Sequence, residues 1–244
     1  MLRIDKYLAD CGIGTRSEVK KYIKLKQITV NGDVISKAEV KVDECKDIIC
    51  FKGKEVIYEK YVYYLLHKPA GCVTAKQDNV HKTVMEYFPE EIRAKDIAPV
   101  GRLDLDTEGL LLFTNDGPLT HHLLSPTHHI PKTYYAVLNK EVAAEAIVKF
   151  KEGIDIGDDK PTLPAELVIL PVKTDNDGNN VYSAELTIHE GRFHQVKRMF
   201  EAVGCTVTYL KRLSMGGLTL GKLQKGEYRK LSEQEIKFLK ENRF

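Results

Sequence analysis

Three carboxylates lie close together in one short polar segment of the sequence. Asp104, Asp106 and Glu108 fall within five residues, and an apolar run at residues 110–113 follows them. Catalytic and binding residues concentrate in loops that rigid elements hold in place, so this segment is the first candidate for a site. By residue type alone, the carboxylates suit acid–base or nucleophilic chemistry, a metal site, or an ordinary solvated turn. Their spacing does not decide among these alternatives.

Metal binding receives little support from the rest of the chain. The EF-hand calcium loop requires a full set of spaced oxygen ligands and a distal glutamate, and that pattern is absent. The pairs His121–His122 and His128–His129 are adjacent residues that point in different directions on one element, and no HExxH pattern accompanies them. We therefore predict no metal site, and we expect these histidines to lie in a loop.

The five cysteines are scattered through the chain, without a CxxC pair. They are Cys11, Cys45, Cys50, Cys72 and Cys205. This odd, dispersed set predicts neither a disulfide framework nor a thiolate metal site, and it suits a reducing compartment. The N-terminus lacks the apolar core and cleavage site of a signal peptide, and no stretch approaches the roughly 18 apolar residues of a membrane span. The sequence therefore predicts a cytoplasmic protein with no membrane partner.

The acidic segment is embedded in a long region of short β-rich runs that begins at Tyr61. Strands are predicted at residues 61–66, 133–138, 166–170 and 181–188. Residues 194–203 carry apolar side chains at helical spacing, and Gly204 follows as a C-terminal stop. The polar stretch 174–180 is predicted to be a loop or hairpin tip. Together these patterns predict an α+β domain, residues 61–244, built on a mostly antiparallel sheet.

A smaller α/β unit is predicted before it, at residues 1–58. Thr15 and Glu18 form a capping-box pattern, which predicts that a helix begins there. Asn31–Gly32 lies between two strand-like runs, and both residues tolerate the positive φ of a tight hairpin turn. The pattern predicts helices followed by a short sheet.

Two strongly basic regions underlie a net charge of only +2. Residues 1–26 carry seven basic and three acidic side chains, and residues 191–230 carry nine and two. The composition, 43% hydrophobic and 30% charged, is that of a folded globular chain rather than a disordered tail. A single basic region is a solvated face about as often as it is a binding site. Two such regions together favour a polyanionic partner.

The acidic segment and three further motifs resemble the RsuA-type pseudouridine synthases. Residues 101–117, GRLDLDTEGLLLFTNDG, contain every element of that family's signature: GRLD, DT, a glycine, an apolar run and DG. HKPAG at 67–71, KTY at 132–134 and EGRFHQVKRM at 190–199 look like the family's other motifs. Residues 3–35 resemble the S4 domain, a small RNA-binding module. The resemblance covers nearly the whole chain in the family's order.

This resemblance implies roles for three residues. Asp104 takes the place of the catalytic carboxylate, which attacks the ribose or removes a ribose proton as the glycosidic bond breaks. Tyr134 takes the place of the active-site tyrosine, whose ring can stack on a flipped base and whose phenol can transfer a proton. Lys197 matches the basic residue that pairs with the catalytic aspartate, and Arg198 exchanges roles with it if the register shifts by one.

The resemblance also implies contacts with RNA. Arg102 is expected to bind a phosphate or to wedge the target base outward. Arg192, His194 and Gln195 are secondary RNA or active-site contacts, or else they cap the following helix. The basic helix face of the S4-like part is expected to grip structured RNA through Arg3, Arg16, Lys20 and Lys24.

The implied reaction is the isomerisation of one uridine of ribosomal RNA to pseudouridine, without a cofactor. The stretch HQVKR looks closer to the branch that acts on 16S small-subunit RNA than to the 23S large-subunit branches. The expected partner is ribosomal RNA or an assembly intermediate of the small subunit, and the chain is expected to be a monomer. A noncatalytic RNA-binding assembly factor is disfavoured by the intact motif residues. A nucleoside hydrolase would have no reason to carry an RNA-binding module.

Overall fold

The chain folds into two compact units in a computed structural model that describes residues 1–241. The first unit comprises Met1–Val62, Phe88–Ala98 and Thr114–Asp116. The second comprises Tyr63–Tyr87, Pro99–Phe113 and the chain from Gly117 onward. Helices and mostly antiparallel strands confirm the predicted α+β class. The predicted domains, residues 1–58 and 61–244, stay a prediction.

Short helices and strands build the first unit. The helices are α1 (Ile4–Asp10), α2 (Arg16–Lys24) and α3 (Glu90–Arg93). The strands are β1 (Leu2–Arg3), β2 (Ile28–Val30), β3 (Asp33–Val34), β4 (Lys41–Val42), β5 (Ile49–Phe51) and β6 (Lys54–Glu55). A four-stranded sheet has the order β3–β2–β5–β6, and β1 pairs with β4.

Local sequence signals explain how these elements begin and turn. The Thr15 hydroxyl accepts a hydrogen bond from the Glu18 backbone N–H, and the Glu18 carboxylate accepts one from the Thr15 N–H. The predicted capping box is therefore confirmed. Between β2 and β3, Asn31 and Gly32 have φ of 54° and 92°, as the predicted tight hairpin requires.

The core of the first unit joins one face of each long helix to the sheet. Its buried residues are Ile4, Tyr7, Leu8, Val19, Ile23, Ile28, Ile35, Ala38, Val42 and Ile49. Since Val19 and Ile23 are one turn apart on α2, the lysines of that helix are left on its exposed face.

A large sheet dominates the second unit. Its strands are β7 (Tyr63–Lys68), β8 (Ala98–Pro99), β9 (Glu108–Thr114), β10 (Lys132–Leu138), β11 (Glu166–Ile169), β12 (Lys173–Thr174), β13 (Asn180–Ile188), β14 (Val207–Met215), β15 (Leu218–Thr219) and β16 (Tyr228–Lys230). The main path is β11–β13–β10–β14–β9–β7–β16, while β8, β12 and β15 pair beside it. The helices are α4 (Gly117–Leu124), α5 (Glu145–Glu152), α6 (Gln195–Glu201) and α7 (Glu233–Glu241). Short 3₁₀ turns lie at Val84–Tyr87 and Pro126–His128.

The parallel contact between β9 and β14 depends on a glycine. Gly109 pairs with Arg212, and a Cβ at Gly109, whose φ is 110°, would overlap the Arg212 carbonyl oxygen. Only glycine permits this approach. All seven residues of β9 are buried, which confirms the predicted buried run. The loop that precedes β9 is thus anchored to the centre of the sheet.

Most predicted elements of this unit are confirmed, with one correction. The four predicted strands correspond to β7, β10, β11 and β13, and the predicted helix corresponds to α6, with Gly204 at φ 77° beyond it. The prediction that His121 and His122 lie in a loop was wrong, because both lie on α4. Leu119 and Leu123, four residues apart, bury one face of that segment as a helix.

No helix within residues 1–241 is long and apolar enough to cross a membrane.

Candidate active site

The loop before β9 carries Asp104 and is held from below by a buried lysine. Lys68, at the end of β7, is completely buried. Its ammonium donates to the carbonyl oxygens of Pro69 (3.1 Å), Asp104 (3.0 Å), Leu105 (3.3 Å) and Thr107 (2.8 Å). Burial lowers the pKa of Lys68. Since three of its four acceptors belong to the loop, Lys68 fixes the backbone on which the Asp104 side chain is mounted.

Two cationic or ionisable side chains from the start of α6 face the Asp104 carboxylate. Lys197 Nζ lies 3.6 Å from Oδ2 of Asp104, and His194 Nε2 lies 3.5 Å from Oδ1. His194 is the N-cap of α6 and adopts a left-handed conformation, with φ 48° and ψ 32°. The structure therefore brings Asp104 and Lys197 together, and it places His194, one of the expected RNA or active-site contacts, on the other carboxylate oxygen.

Lys197 has a second and nearer carboxylate partner. Its ammonium lies 2.7 Å and 2.8 Å from the two oxygens of Asp106. This hydrogen bond lowers the pKa of Asp106. The Asp106 side chain is 70% exposed, whereas that of Asp104 is 30% exposed. Lys197 thus bridges an outer carboxylate and an inner one.

Asp104 lines a cavity of about 390 Å³ in the second unit. This volume lies in the range of small-ligand sites. Tyr134 and Lys132, two buried residues on one face of β10, lie on its wall. The remaining lining residues are Gly101, Arg102, Leu103, Thr107, Leu124, Pro126, Ile188, Gly191, Arg192, Phe193, His194, Gln195, Val196, Lys197, Leu210 and Arg212.

Two buried cations on the cavity wall have few hydrogen-bond partners. Arg212 is 2% exposed, and its Nε donates to the Leu110 carbonyl oxygen at 2.7 Å. Its Nη2 has no hydrogen-bond partner among residues 1–241. Lys132 donates to the Ile130 carbonyl oxygen at 2.8 Å. Burial, reinforced by the neighbouring Arg212, lowers the pKa of Lys132 to about 8. Buried donors of this kind are normally satisfied, so the wall offers hydrogen bonds to a ligand.

The predicted RNA contacts of the second unit have different surroundings. Arg102 lines the cavity. The Arg192 guanidinium is engaged within the protein, by Glu190 at 3.0 Å and by the carbonyl oxygens of Lys160 and Pro161 at 2.6 Å and 2.7 Å. Gln195 is buried, and its amide oxygen accepts from the Arg192 N–H at 2.9 Å. Gln195 therefore ties the segment before α6 to the first residue of that helix, while the N-cap residue, His194, makes no side-chain capping hydrogen bond.

The predicted RNA contacts of the first unit divide into two kinds. Arg3 and Arg16 both donate to the buried carboxylate of Asp5, at 3.0–3.1 Å and 2.9–3.0 Å. Lys20 and Lys24 are exposed on α2. Asp5 therefore fixes two guanidinium groups, while the lysines extend from the helix surface.

Sequence reasoning missed four residues of the site, namely Lys68, Lys132, Phe193 and Arg212. The side-chain alternation on β14, where Leu210 and Arg212 share the buried face, was the signal for Arg212, because an arginine on an apolar face needs a reason. Lys68 and Phe193 lie inside motifs that were recognised. Nothing in those motifs indicated that one side chain would be buried and the other exposed.

Comparison with known proteins identifies the family of both parts of the chain. A family model described as RNA pseudouridylate synthase matches residues 62–202, and an S4 domain model matches residues 2–48. Ribosomal small subunit pseudouridine synthase A of Haemophilus influenzae is 37% identical over 98% of this chain and 99% of its own. Ribosomal large subunit pseudouridine synthase B of Bacillus subtilis is 39% identical over 98% and 96%. A crystal structure of a pseudouridylate synthase, 37% identical, matches 98% of this chain and 100% of that one with a TM-score of 0.65.

Proposed function

We propose that this chain, which belongs to the RNA pseudouridylate synthase family, isomerises one uridine of 16S ribosomal RNA with Asp104 as its catalytic carboxylate. One observation carries the proposal. The Asp104 carboxylate lies between Lys197 and His194 at the edge of a cavity that also contains Tyr134. A fixed carboxylate beside an enclosed wall is what the chemistry on a flipped nucleotide requires.

The reaction exchanges one glycosidic bond for another on the same base. The bond from ribose C1′ to uracil N1 breaks, the uracil turns, and a bond from C1′ to C5 forms; C5 then loses its proton and N1 gains one, so that substrate and product are isomers. Asp104 acts either as a nucleophile at the ribose or as a base that removes a ribose proton. Lys197 and His194 orient its two oxygens. No step requires an external cofactor.

The cavity has to retain the detached uracil until it reattaches. Tyr134 offers a ring for stacking and a phenol for proton transfer. Arg212 and Lys132 offer buried donors to the carbonyl oxygens of the base, which suits a ligand rich in acceptors. A volume of about 390 Å³ admits one nucleotide rather than a duplex.

The N-terminal S4 domain supports RNA as the substrate. In this proposal it binds phosphates and 2′-hydroxyls of structured RNA through basic side chains. The proposed RNA contacts of the whole chain are Arg3, Arg16, Lys20, Lys24, Arg102 and His194, whereas the side chains of Arg192 and Gln195 are engaged within the protein. The partner is ribosomal RNA or an assembly intermediate of the small subunit, the protein acts as a monomer, and its site of action is the cytoplasm.

A tritium-release assay tests the reaction and the residue together. Ribosomal RNA labelled at uridine C5 loses tritium when the carbon bond forms. We expect release by the wild type and by Asp177→Asn, an exposed carboxylate at a hairpin tip, and a loss on the order of 10³-fold or more in Asp104→Asn. Release by Asp104→Asn at the wild-type rate would refute the role of Asp104.

The target RNA is tested by dividing the same assay among substrates. We expect release from 16S RNA, either naked or in small-subunit assembly intermediates. Release from 23S RNA alone would favour the alternative, a large-subunit enzyme, which the likeness to the Bacillus subtilis protein keeps open. No release from any RNA or particle would favour a noncatalytic assembly factor.

A further inference from the structure

An exposed aromatic side chain lies at the mouth of the cavity and has no role in the chemistry described so far. Phe193 is 67% exposed and lines the cavity. Its ring stacks on that of His194, with centroids 3.9 Å apart and planes inclined by 17°. His194 in turn reaches the Asp104 carboxylate at 3.5 Å. The two rings thus form a stack whose inner member touches Asp104 and whose outer member faces solvent.

The backbone on both sides of Phe193 is held in place, and the ring itself packs on His194. The Phe193 carbonyl oxygen accepts a hydrogen bond from Arg198 Nη1 at 3.1 Å. The next residue, His194, has the left-handed backbone that few residues other than glycine adopt. On the other side, the Arg192 N–H is bonded to Gln195 at 2.9 Å. An exposed ring on an anchored segment is preorganised, so a ligand that stacks on it loses little additional entropy.

The surroundings of Phe193 combine apolar and basic groups. Leu124, which is 42% exposed, also lines the cavity and is a second exposed apolar side chain there. Arg102 and Lys197 line the same cavity. A mouth with apolar faces and cations suits a nucleotide, whose base is flat and apolar on its faces and whose phosphate is anionic.

We propose that Phe193 stacks on the base next to the target uridine, on the strand from which that uridine is extruded. Extrusion leaves the neighbouring base without its stacking partner, and an exposed ring beside the catalytic loop replaces that partner. Phe193 is therefore a specificity-determining residue that stabilises the opened RNA. This inference rests on the proposed function, since it assumes that a uridine enters the cavity.

A cycle of protein and RNA changes tests the contact. The RNA is a fragment that contains the modified uridine, either intact or with an abasic site in place of its 5′ or its 3′ neighbour. On intact RNA, we expect Phe193→Ala and Phe193→Leu to lower kcat/KM about tenfold, and Phe193→Tyr to keep it, because stacking needs a ring. Val148→Ala, which removes an exposed apolar side chain from α5, serves as the control.

The abasic RNAs decide between a base and any other partner. One of them is expected to lower the wild-type kcat/KM by about as much as Phe193→Ala does, and Phe193→Ala is then expected to cause no further loss on that RNA. A full tenfold loss from Phe193→Ala on both abasic RNAs would overturn the inference, and so would wild-type activity in Phe193→Leu on intact RNA. A wild type that forms no pseudouridine on any RNA is a separate result, which refutes the proposed function and with it the basis of this contact.

Discussion

Two buried cations of the second unit meet very different surroundings. Lys68, beneath the Asp104 loop, donates to four carbonyl oxygens. Arg212, on the cavity wall, is almost as deeply buried, but one of its terminal nitrogens has no hydrogen-bond partner in the described chain. Because buried polar groups are nearly always satisfied in folded proteins, the contrast separates two roles. Lys68 belongs to the scaffold, and Arg212 is available to a ligand.

Lys132 is intermediate between these two cations. It has one carbonyl acceptor and lies near Arg212, which adds to the effect of burial in lowering its pKa to about 8. A protein that places two incompletely hydrogen-bonded cations on one buried wall gives up stability there unless a ligand completes their hydrogen bonds. When no RNA is bound, the part of the fold around Arg212 and Lys132 is therefore expected to be less stable than the part around Lys68.

Apart from the loss of Asp104 itself, removal of the Lys68 ammonium should have the largest effect. Lys68→Met keeps most of the side-chain volume but deprives four carbonyl oxygens of a donor. We expect the free energy of unfolding to fall by about 2–4 kcal/mol, and pseudouridine formation to fall at least about 100-fold because the Asp104 loop loses its support. Denaturant titration and tritium release measure the two effects. Normal stability and normal activity in this variant would show that Lys68 does not support the Asp104 loop.

The titration of Lys132 should appear as a pH dependence of stability. Its pKa in the folded protein is about 8, below the 10.5 of an unfolded chain, so between these pH values the unfolded state binds more protons. Stability from this group therefore rises with pH across that window, by at most about 3 kcal/mol. The unfolding free energies of wild type and Lys132→Met, measured from pH 7 to 10.5, should differ progressively in favour of the wild type as pH increases. A difference that stays constant with pH would contradict the assignment.

Replacement of Arg212 should lower activity while leaving stability almost unchanged. Arg212→Met removes a buried and incompletely satisfied charge, so we expect the unfolding free energy to change by less than about 1 kcal/mol. The kcat/KM for pseudouridine formation should fall about tenfold or more, because the base loses a donor. The same two measurements as for Lys68 apply. A large loss of stability without a specific loss of activity would mean that Arg212, like Lys68, has a structural role.

Asp106 should give the smallest effect. Its carboxylate is mostly exposed and pairs with Lys197 at the surface. Asp106→Asn is expected to change the unfolding free energy by less than about 0.5 kcal/mol and activity by less than about threefold, since Lys197 keeps its contact with Asp104. A loss of activity comparable to that of Asp104→Asn would mean that the outer carboxylate, not the inner one, does the chemistry.

The sequence predicted those parts of the molecule that depend on neighbouring residues. The capping box at Thr15, the hairpin at Asn31–Gly32 and the buried strand after Asp104 are local patterns, and all are confirmed. Asp104, Tyr134 and Lys197 lie around one cavity, as their motifs indicated.

The remaining features depend on tertiary contacts that no short pattern contains. Arg212 reaches the site because Gly109 lets β14 approach β9, a pairing across about a hundred residues of sequence. Phe193 is exposed next to His194, whose left-handed backbone no short sequence pattern indicates. His121 and His122 were predicted to lie in a loop, but they lie on a helix, α4, whose apolar residues Leu119 and Leu123 are buried.

The central claim is that Asp104 converts one uridine of small-subunit ribosomal RNA. The most direct measurement is a nucleotide-resolution map of pseudouridine in 16S and 23S RNA from cells that lack this gene and carry either the wild-type or the Asp104→Asn copy. We predict one 16S position that is modified with the wild type and unmodified with the variant, at equal protein levels. A position modified in both strains, or no 16S position that depends on the gene, would contradict the claim.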